Sequence, residues 1–314
     1  MLRYVLKRFG LILVSLFAAS VIIFLITEII PGDVAQMILG RNVTPDALAA
    51  LRERLGLMNP PYVRYLHWLG GILQGKLGDS LSMQGVHISD LIIRKGLNSL
   101  FLAAASTILL VPLSLLLGVI AGLKEQKWPD SVISTFSLIA ISLPEFISGT
   151  FLMLVFSVWL RWLPAASSIN LDVSLFRQLH LLVLPVVTVS LVLLGYVARM
   201  VRASVIEASR SPYARTAILK GLPPLLVNSR HILKNALLPS VTIIAMNIGW
   251  LFGGIIIVES VFGYPGLGSL VLFAITQRDV PLIEDVVLLM AAAYLVLNLL
   301  ADIVYALLNP RIRY

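Results

Sequence analysis

Four carboxylates fall in or near apolar stretches of this chain: Glu28, Glu145, Glu259 and Asp302. A charge at the centre of a membrane helix costs about 2.5 to 3.5 kcal/mol on insertion scales, so such residues usually face an interior cavity or a partner. Glu145 follows Pro144 in the middle of its stretch. Its chemistry would be to line a polar path, to meet a cationic group or to relay a proton. Glu28 and Asp302 sit near the ends of their stretches, where a carboxylate can reach the interface. Asn247 is placed to hydrogen-bond another helix. The candidate pathway-lining residues are therefore Glu145, Asn247 and Glu259. Other chemistry is poorly supplied. With no cysteine there is no disulfide, no thiolate metal site and no cysteine nucleophile. His180 near a span end and His231 in a basic segment give no Ser-His arrangement within the apolar stretches. The near match to a phosphate loop, Gly70-Gly-Ile-Leu-Gln-Gly75-Lys76, is followed by Leu77 where Ser or Thr must hold magnesium. The chain is expected to bind no nucleotide, metal or cofactor and to be no enzyme.

The elements that would position these residues belong in a membrane. The chain is 59% hydrophobic and 13% charged, against about 25% charged in a soluble domain. Its net charge of +8 does not point to nucleic acid, because the positive residues flank apolar runs, which is how topology is encoded. Six segments reach the roughly 20 apolar residues a bilayer requires: 9–30, 99–123, 132–159, 179–198, 237–262 and 286–308. Unpaired backbone cannot sit in lipid, and short alternating segments are lacking, so each is predicted to be a helix in an all-α, six-span fold. The first span follows Arg3, Lys7 and Arg8 but is too long for a signal peptide and lacks a cleavage site, so it reads as retained. With both termini inside, 14 Lys and Arg fall on cytoplasmic segments and only Arg161, Arg177 and Arg278 on the short outside loops. Residues 31–98 form a long external loop. Within it the Thr44–Gly56 stretch reads as a capped surface helix, and Tyr62–Leu73 as an interfacial segment.

Residues 199–236 form a basic cytoplasmic loop with seven Lys or Arg and one acid, Glu207. Ser211-Pro-Tyr213 reads as a helix start, Tyr213 to Lys220 as two turns and Gly221 as their end. Leu222-Pro-Pro224 breaks the chain before a second amphipathic helix, Leu225 to Asn235. One reading is a helix pair resting on anionic headgroups. The other is a rigid corner that docks a partner.

Ala217-Ile-Leu-Lys-Gly-Leu222 followed by Arg230-His-Ile-Leu-Lys-Asn-Ala-Leu-Leu-Pro239 resembles the cytoplasmic loop of ABC importer permeases of the peptide, opine and nickel branch. The resemblance continues in Leu2-Arg-Tyr4 with Arg8, Pro31-Gly-Asp33, Gly75-Lys-Leu-Gly-Asp-Ser80, Ser142-Leu-Pro144, Leu163-Pro164 and Glu259-Ser-Val-Phe262. It extends through Pro265-Gly-Leu-Gly268 and Arg278-Asp279 to Asn309-Pro-Arg-Ile-Arg-Tyr314. It covers essentially the whole chain. Glu207-Ala-Ser209 imitates the Glu-Ala-Ala opening of the general permease motif but lies too far from Gly221. Counting back from Gly221 reaches Arg215-Thr-Ala217 instead, a departure similar to that of the peptide branch. The resemblance implies a single permease domain over 1–314 in a bacterial inner membrane. It implies pairing with a homologous second permease chain, two cytoplasmic ATP-binding subunits and an external solute-binding protein. It places an ATPase-coupling helix at Arg215, Ala217, Lys220, Gly221, Leu222 and Pro223, with Ala217 for close approach and the Leu-Pro corner as the apolar tip. It also implies an outer gate or a binding-protein contact near Tyr264–Gly268. Peptides are the commonest cargo so implied; nickel chelates, opines, glutathione and some sugars use similar permeases. A secondary transporter using Glu145 as a proton relay is the alternative from a different class.

Overall fold

The computed structural model describes residues 2–29, 44–54, 56–83, 85–167 and 175–308. The Pro31-Gly-Asp33 and Asn309–Tyr314 stretches of the resemblance lie outside them. The described residues form eleven main helices: α1 (Leu2–Ile29), α2 (Pro45–Arg54), α3 (Pro61–Leu73), α4 (Ile88–Leu123), α5 (Trp128–Ser142), α6 (Glu145–Met153), α7 (Leu175–Ser209), α8 (Pro212–Leu219), α9 (Lys234–Val261), α10 (Leu267–Gln277) and α11 (Val280–Leu308). α6 continues as a π-helical stretch, Leu154–Trp159, and another, Val227–Leu233, leads into α9. Pairing between strands is limited, among the described residues, to one isolated bridge, Asp79 to His87. By length and composition α1, α4, α7 and α11 can each cross a bilayer, and the bent pair α5–α6 makes a fifth candidate.

The expected third span, 132–159, is not one helix. α5 and the helix from Glu145 to Trp159 are bent by 108°. Leu143 between them is extended, at φ −96° and ψ 126°. Pro144 causes this: its ring excludes the α conformation from residue 143, and it has no N–H to continue the ladder. Pro112, Pro185 and Pro239 stay inside α4, α7 and α9. At Pro185 the reason is visible. The carbonyl four residues earlier, Leu181, loses its helical donor and instead accepts from Ser167 Oγ at 2.6 Å. Ser167 N–H donates in turn to Phe262 O at 2.9 Å.

The helices also overrun the predicted spans. α4 begins eleven residues before Ser99, within the expected external loop, and α7 runs to Ser209, so Arg199, Arg202 and Glu207 of the expected cytoplasmic loop are helical. α10 falls between the expected fifth and sixth spans, in a stretch read as one of the short outside loops. The near phosphate loop begins inside a helix, since Gly70 and Gly71 lie within α3, and only Gln74 to Lys76 turn out of it. α2 and α3 fall where the surface helix and interfacial segment were expected.

The chain divides into two compact units, Leu100–Pro265 with Leu297–Tyr314, and Leu2–Ser99 with Gly266–Val296. In the first, α7 is central, with Leu182, Val189, Leu193, Val197, Val201 and Val205 all buried. Glycines bring its neighbours to backbone distance. A β-carbon on Gly118 of α4 would lie 2.5 Å from Val201 Cβ, one on Gly122 2.6 Å from Val205 Cβ, and one on Gly195 of α7 2.7 Å from Ser137 O of α5. Gly118 and Gly122 are one turn apart, the small-residue spacing by which membrane helices approach closely without a hydrophobic driving force.

In the second unit, α3 is fastened to α1 by aromatic and polar contacts. Tyr65 and Trp68 lie 5.4 and 6.2 Å from the Phe24 ring, and Tyr65 Oη is 2.9 Å from Ser20 Oγ. Arg64 pairs with Glu28, and Trp68 Nε1 donates to Asp285 at 2.8 Å. Ile88, Leu270, Ala274, Leu282 and Val286 form its apolar core.

Candidate functional site

The corner at residues 211–227 is built by caps. Ser211 Oγ donates to Ala208 O at 2.6 Å, in the last turn of α7, and accepts from Ala214 N at 3.4 Å, in the first turn of α8. Pro212 starts α8 without wasting an N–H. At the other end Gly221 N donates to Ile218 O at 2.9 Å and Leu222 N to Ala217 O at 3.4 Å. This double closure requires a left-handed residue, and Gly221 supplies it at φ +74°. Pro223 is extended and Pro224 opens the next helix, whose π-helical turn returns Val227 and Ile232 to the fold. A π turn shifts the register of a helix by one residue, which re-aims the side chains beyond it.

The two faces of α8 differ sharply. Ala214 and Ala217 are buried, in the same cluster as Val205, Val227, Ile232 and Ala236. Ile218, Leu219 and Leu225 are 59%, 78% and 82% exposed, and Tyr213 is also exposed. Arg215, Lys220, Gly221 and Pro223 lie on the exposed side. Of the residues expected at the contact, Ala217 is buried against its own chain and Leu222 is partly buried against the core. The exposed aliphatic side chains of the corner are Ile218, Leu219 and Leu225. Sequence reasoning missed these because an apolar residue on a short amphipathic helix is assigned to the core by default. The available signal was the Ala214/Ala217 pair, whose spacing of three marks the inward face.

The corner is mounted on a braced helix. Arg202 of α7 holds Asp130 of α5 through two hydrogen bonds, from Nε at 2.5 Å and from Nη2 at 2.7 Å. Asp130 also accepts from Gln126 N at 3.0 Å and Ser134 Oγ at 3.1 Å. Immediately after α7's end, Arg210 pairs with Glu125 at 2.8 Å. Bidentate, partly buried Arg–carboxylate pairs fix geometry in a way that exposed single pairs do not.

The candidate pathway residues have three different settings. Glu145 is the first residue of α6, where the helix dipole favours a negative charge, and is half-buried toward Gly254 of α9. It is not mid-helix as expected, because the span breaks beside it. Asn247 donates to Ile243 O at 2.7 Å, within its own helix. Glu259 is fully buried in the last turn of α9, enclosed by protein rather than facing an open path. Its carbonyl accepts from Tyr264 N at 2.8 Å. Tyr264 is itself fully buried, and that burial, with Glu259 nearby, holds its phenol above the usual tyrosine range.

The motifs spread along the sequence meet in the second unit. Asp279 accepts from Ser80 Oγ at 2.5 Å and from Ser82 N and Oγ at 3.0 and 2.7 Å, and it caps α11 through Leu282 N at 3.3 Å. Gly75–Ser80 and Arg278-Asp279 are thus joined by hydrogen bonds. Arg278 ends α10 in a left-handed conformation at φ 52°.

Long apolar helices packed at glycine contacts, with an exposed apolar corner held by two caps, define a polytopic helical membrane protein. The chain belongs to the family of binding-protein-dependent transport system inner membrane components, which it matches over residues 114–314, and its residues 1–85 match the N-terminal part of such components. It is 35% identical, over 99% of both chains, to a Sinorhizobium fredii chain described as a probable peptide ABC transporter permease protein. It is 36% identical, over 100% of both chains, to a glutathione transport system permease protein of Salmonella typhi. The fold is similar to that of a chain in the crystal structure of an amino acid ABC transporter with histidines, with a TM-score of 0.51 and 18% identity over 71% of this chain and 95% of that one. It is an inner-membrane ABC importer permease.

Proposed function

We propose that this chain forms a translocation pathway for peptides with a second, homologous permease chain, driven by two cytoplasmic ATP-binding subunits and fed by an external solute-binding protein. The peptide reading is supported by relatives named for peptide and for glutathione, itself a small peptide. α9, 28 residues long, supplies the sixth span beside α1, α4, the α5–α6 pair, α7 and α11. The distribution of Lys and Arg supports an orientation with both termini inside and the 211–227 corner in the cytoplasm.

The observation that carries this reading is the exposed apolar tip of Ile218, Leu219 and Leu225 on a helix whose backbone is capped at both ends. Apolar side chains held rigidly in the open are complementary to a cleft in another protein. Arg215, Lys220, Gly221 and Pro223 frame the contact, while Ala217 and Leu222 seat the helix from behind. The ATPase supplies the free-energy difference between two conformations that this chain cannot generate alone. In the complete transporter, Gly221→Val is expected to abolish substrate-stimulated ATP hydrolysis and to weaken ATPase-subunit assembly. Unchanged stimulation and assembly would remove the coupling role.

A further inference from the structure

A groove of about 530 Å³ lies between α5 and the lower half of α7, walled by Leu138, Ile141 and Met200 and crossed by Tyr196, Arg199 and Arg202. Its two arginines are not equivalent. Arg202 is committed to Asp130 through both Nε and Nη2. Arg199, three residues earlier, is exposed and makes no ion pair or hydrogen bond among the described residues. One uncompensated guanidinium is thus left beside an apolar wall. Arg199 directly follows the apolar run 179–198, which places it at the level of the inner headgroups in the orientation proposed above. Tyr196, 41% exposed, lies nearly one turn deeper, the depth at which amphipathic rings settle.

We propose that this groove binds an anionic phospholipid of the inner leaflet, with Arg199 holding the phosphate and Leu138, Ile141 and Met200 bordering the first part of an acyl chain. The choice of ligand follows from charge. A zwitterionic lipid or a peptide also brings an ammonium group, and the acid at the groove, Asp130, is already saturated by Arg202, Gln126 and Ser134. An anion with an apolar tail satisfies every group present and leaves none unpaired. A guanidinium presents the planar donor fork that suits a phosphate. The ligand would sit against the Asp130–Arg202 brace that carries the corner, so lipid composition would act on the same elements as the ATPase.

The test uses the complete transporter purified in mild detergent, with retained phospholipids quantified by mass spectrometry. Phosphatidylglycerol is expected to be enriched over its share of the membrane. Arg199→Gln should lower that enrichment about five-fold, the equivalent of one basic residue at an anionic surface, while Arg199→Lys keeps most of it. Arg199 has no partner to lose, so the unfolding temperature should not move. Equal enrichment in wild type and Arg199→Gln overturns the proposal. A photoreactive benzoylphenylalanine at Leu138 is expected to form an adduct with phospholipid; an adduct with peptide substrate or with the second permease chain instead overturns it. Because the inference rests on the proposed orientation, a cysteine placed at Lys127 of this cysteine-free chain reads that separately. Labelling from the outside would reverse the leaflet, whereas the lipid adduct is independent of it.

Discussion

The 211–227 corner and the contacts around Asp279 are both small, capped and rigid, yet they solve opposite problems. At the corner the polar groups are satisfied within the backbone, by Ser211 and the turn at Gly221, and the apolar side chains of Ile218, Leu219 and Leu225 are turned out. Around Asp279 the carboxylate is turned in, 1% exposed, and three side-chain and backbone donors from residues 80–82 converge on it. On the docking role proposed for the corner, keeping its polar needs local is what allows its apolar side chains to be offered. The segment around residues 80–82 is instead fastened to the start of α11 by a buried carboxylate. A hydrogen-bonded charge of this kind fixes one geometry, and the penalty for removing the partner is what enforces it.

Substitutions can break this contrast, and their expected effects on stability form a descending series. Asp279→Ala strands four donors and is expected to destabilise the chain by at least about 3 kcal/mol, read as a lower unfolding temperature of the purified transporter. Asp279→Asn, which keeps one acceptor, should fall between. Gly118→Val places a branched side chain against Val201 and Ala198 O, where a β-carbon alone would lie 2.5 and 2.6 Å away. Overpacking of that kind costs about 1 to 3 kcal/mol and should reduce the amount of folded chain in the membrane. Ser167→Ala removes the donor to Leu181 O while leaving space unfilled, and about 1 kcal/mol is expected, because a buried carbonyl loses its partner beside Pro185. Gly221→Ala meets no atom within 4 Å but must adopt a left-handed backbone, again costing about 1 kcal/mol. Leu219→Asp should leave the stability within about 0.5 kcal/mol of wild type, since the side chain is 78% exposed, yet abolish co-purification of the ATPase subunits. If Leu219→Asp unfolded the chain, or if it left assembly intact, the corner would be a packing element and the contrast would disappear.

Much of the fold was legible because a bilayer makes unusually strict demands. Length and hydropathy located every long helix, and the caps of α8 could be read from Ser211-Pro212 and Gly221 alone. What hydropathy cannot register is direction. Leu143-Pro144 sits in an unbroken apolar run, so the 108° change of course leaves no trace in composition, although the proline that causes it is in plain view. α10 was hidden for a related reason: its 11 residues are too few for a span and too apolar to resemble a loop. At the candidate site, the glycine and prolines that set the backbone and the exposed Arg215 and Lys220 were identified, whereas the exposed apolar residues Ile218, Leu219 and Leu225 were not. Which side of α8 faces inward is decided by Val227 and Ile232, which reach it only because a π-helical turn shifts their register.

Ser211 has a further mechanical consequence. One hydroxyl bonds both the last turn of α7 and the first turn of α8, so the joint between them contains no freely rotating linker. In engineering terms the joint is built for little backlash: a tilt applied at Leu219 would meet two hydrogen-bonded turns, not a loose loop, on its way to Val205 and Val201. On the coupling role proposed for the corner, a displacement there would arrive between α4 and α7 with little of it lost at the joint.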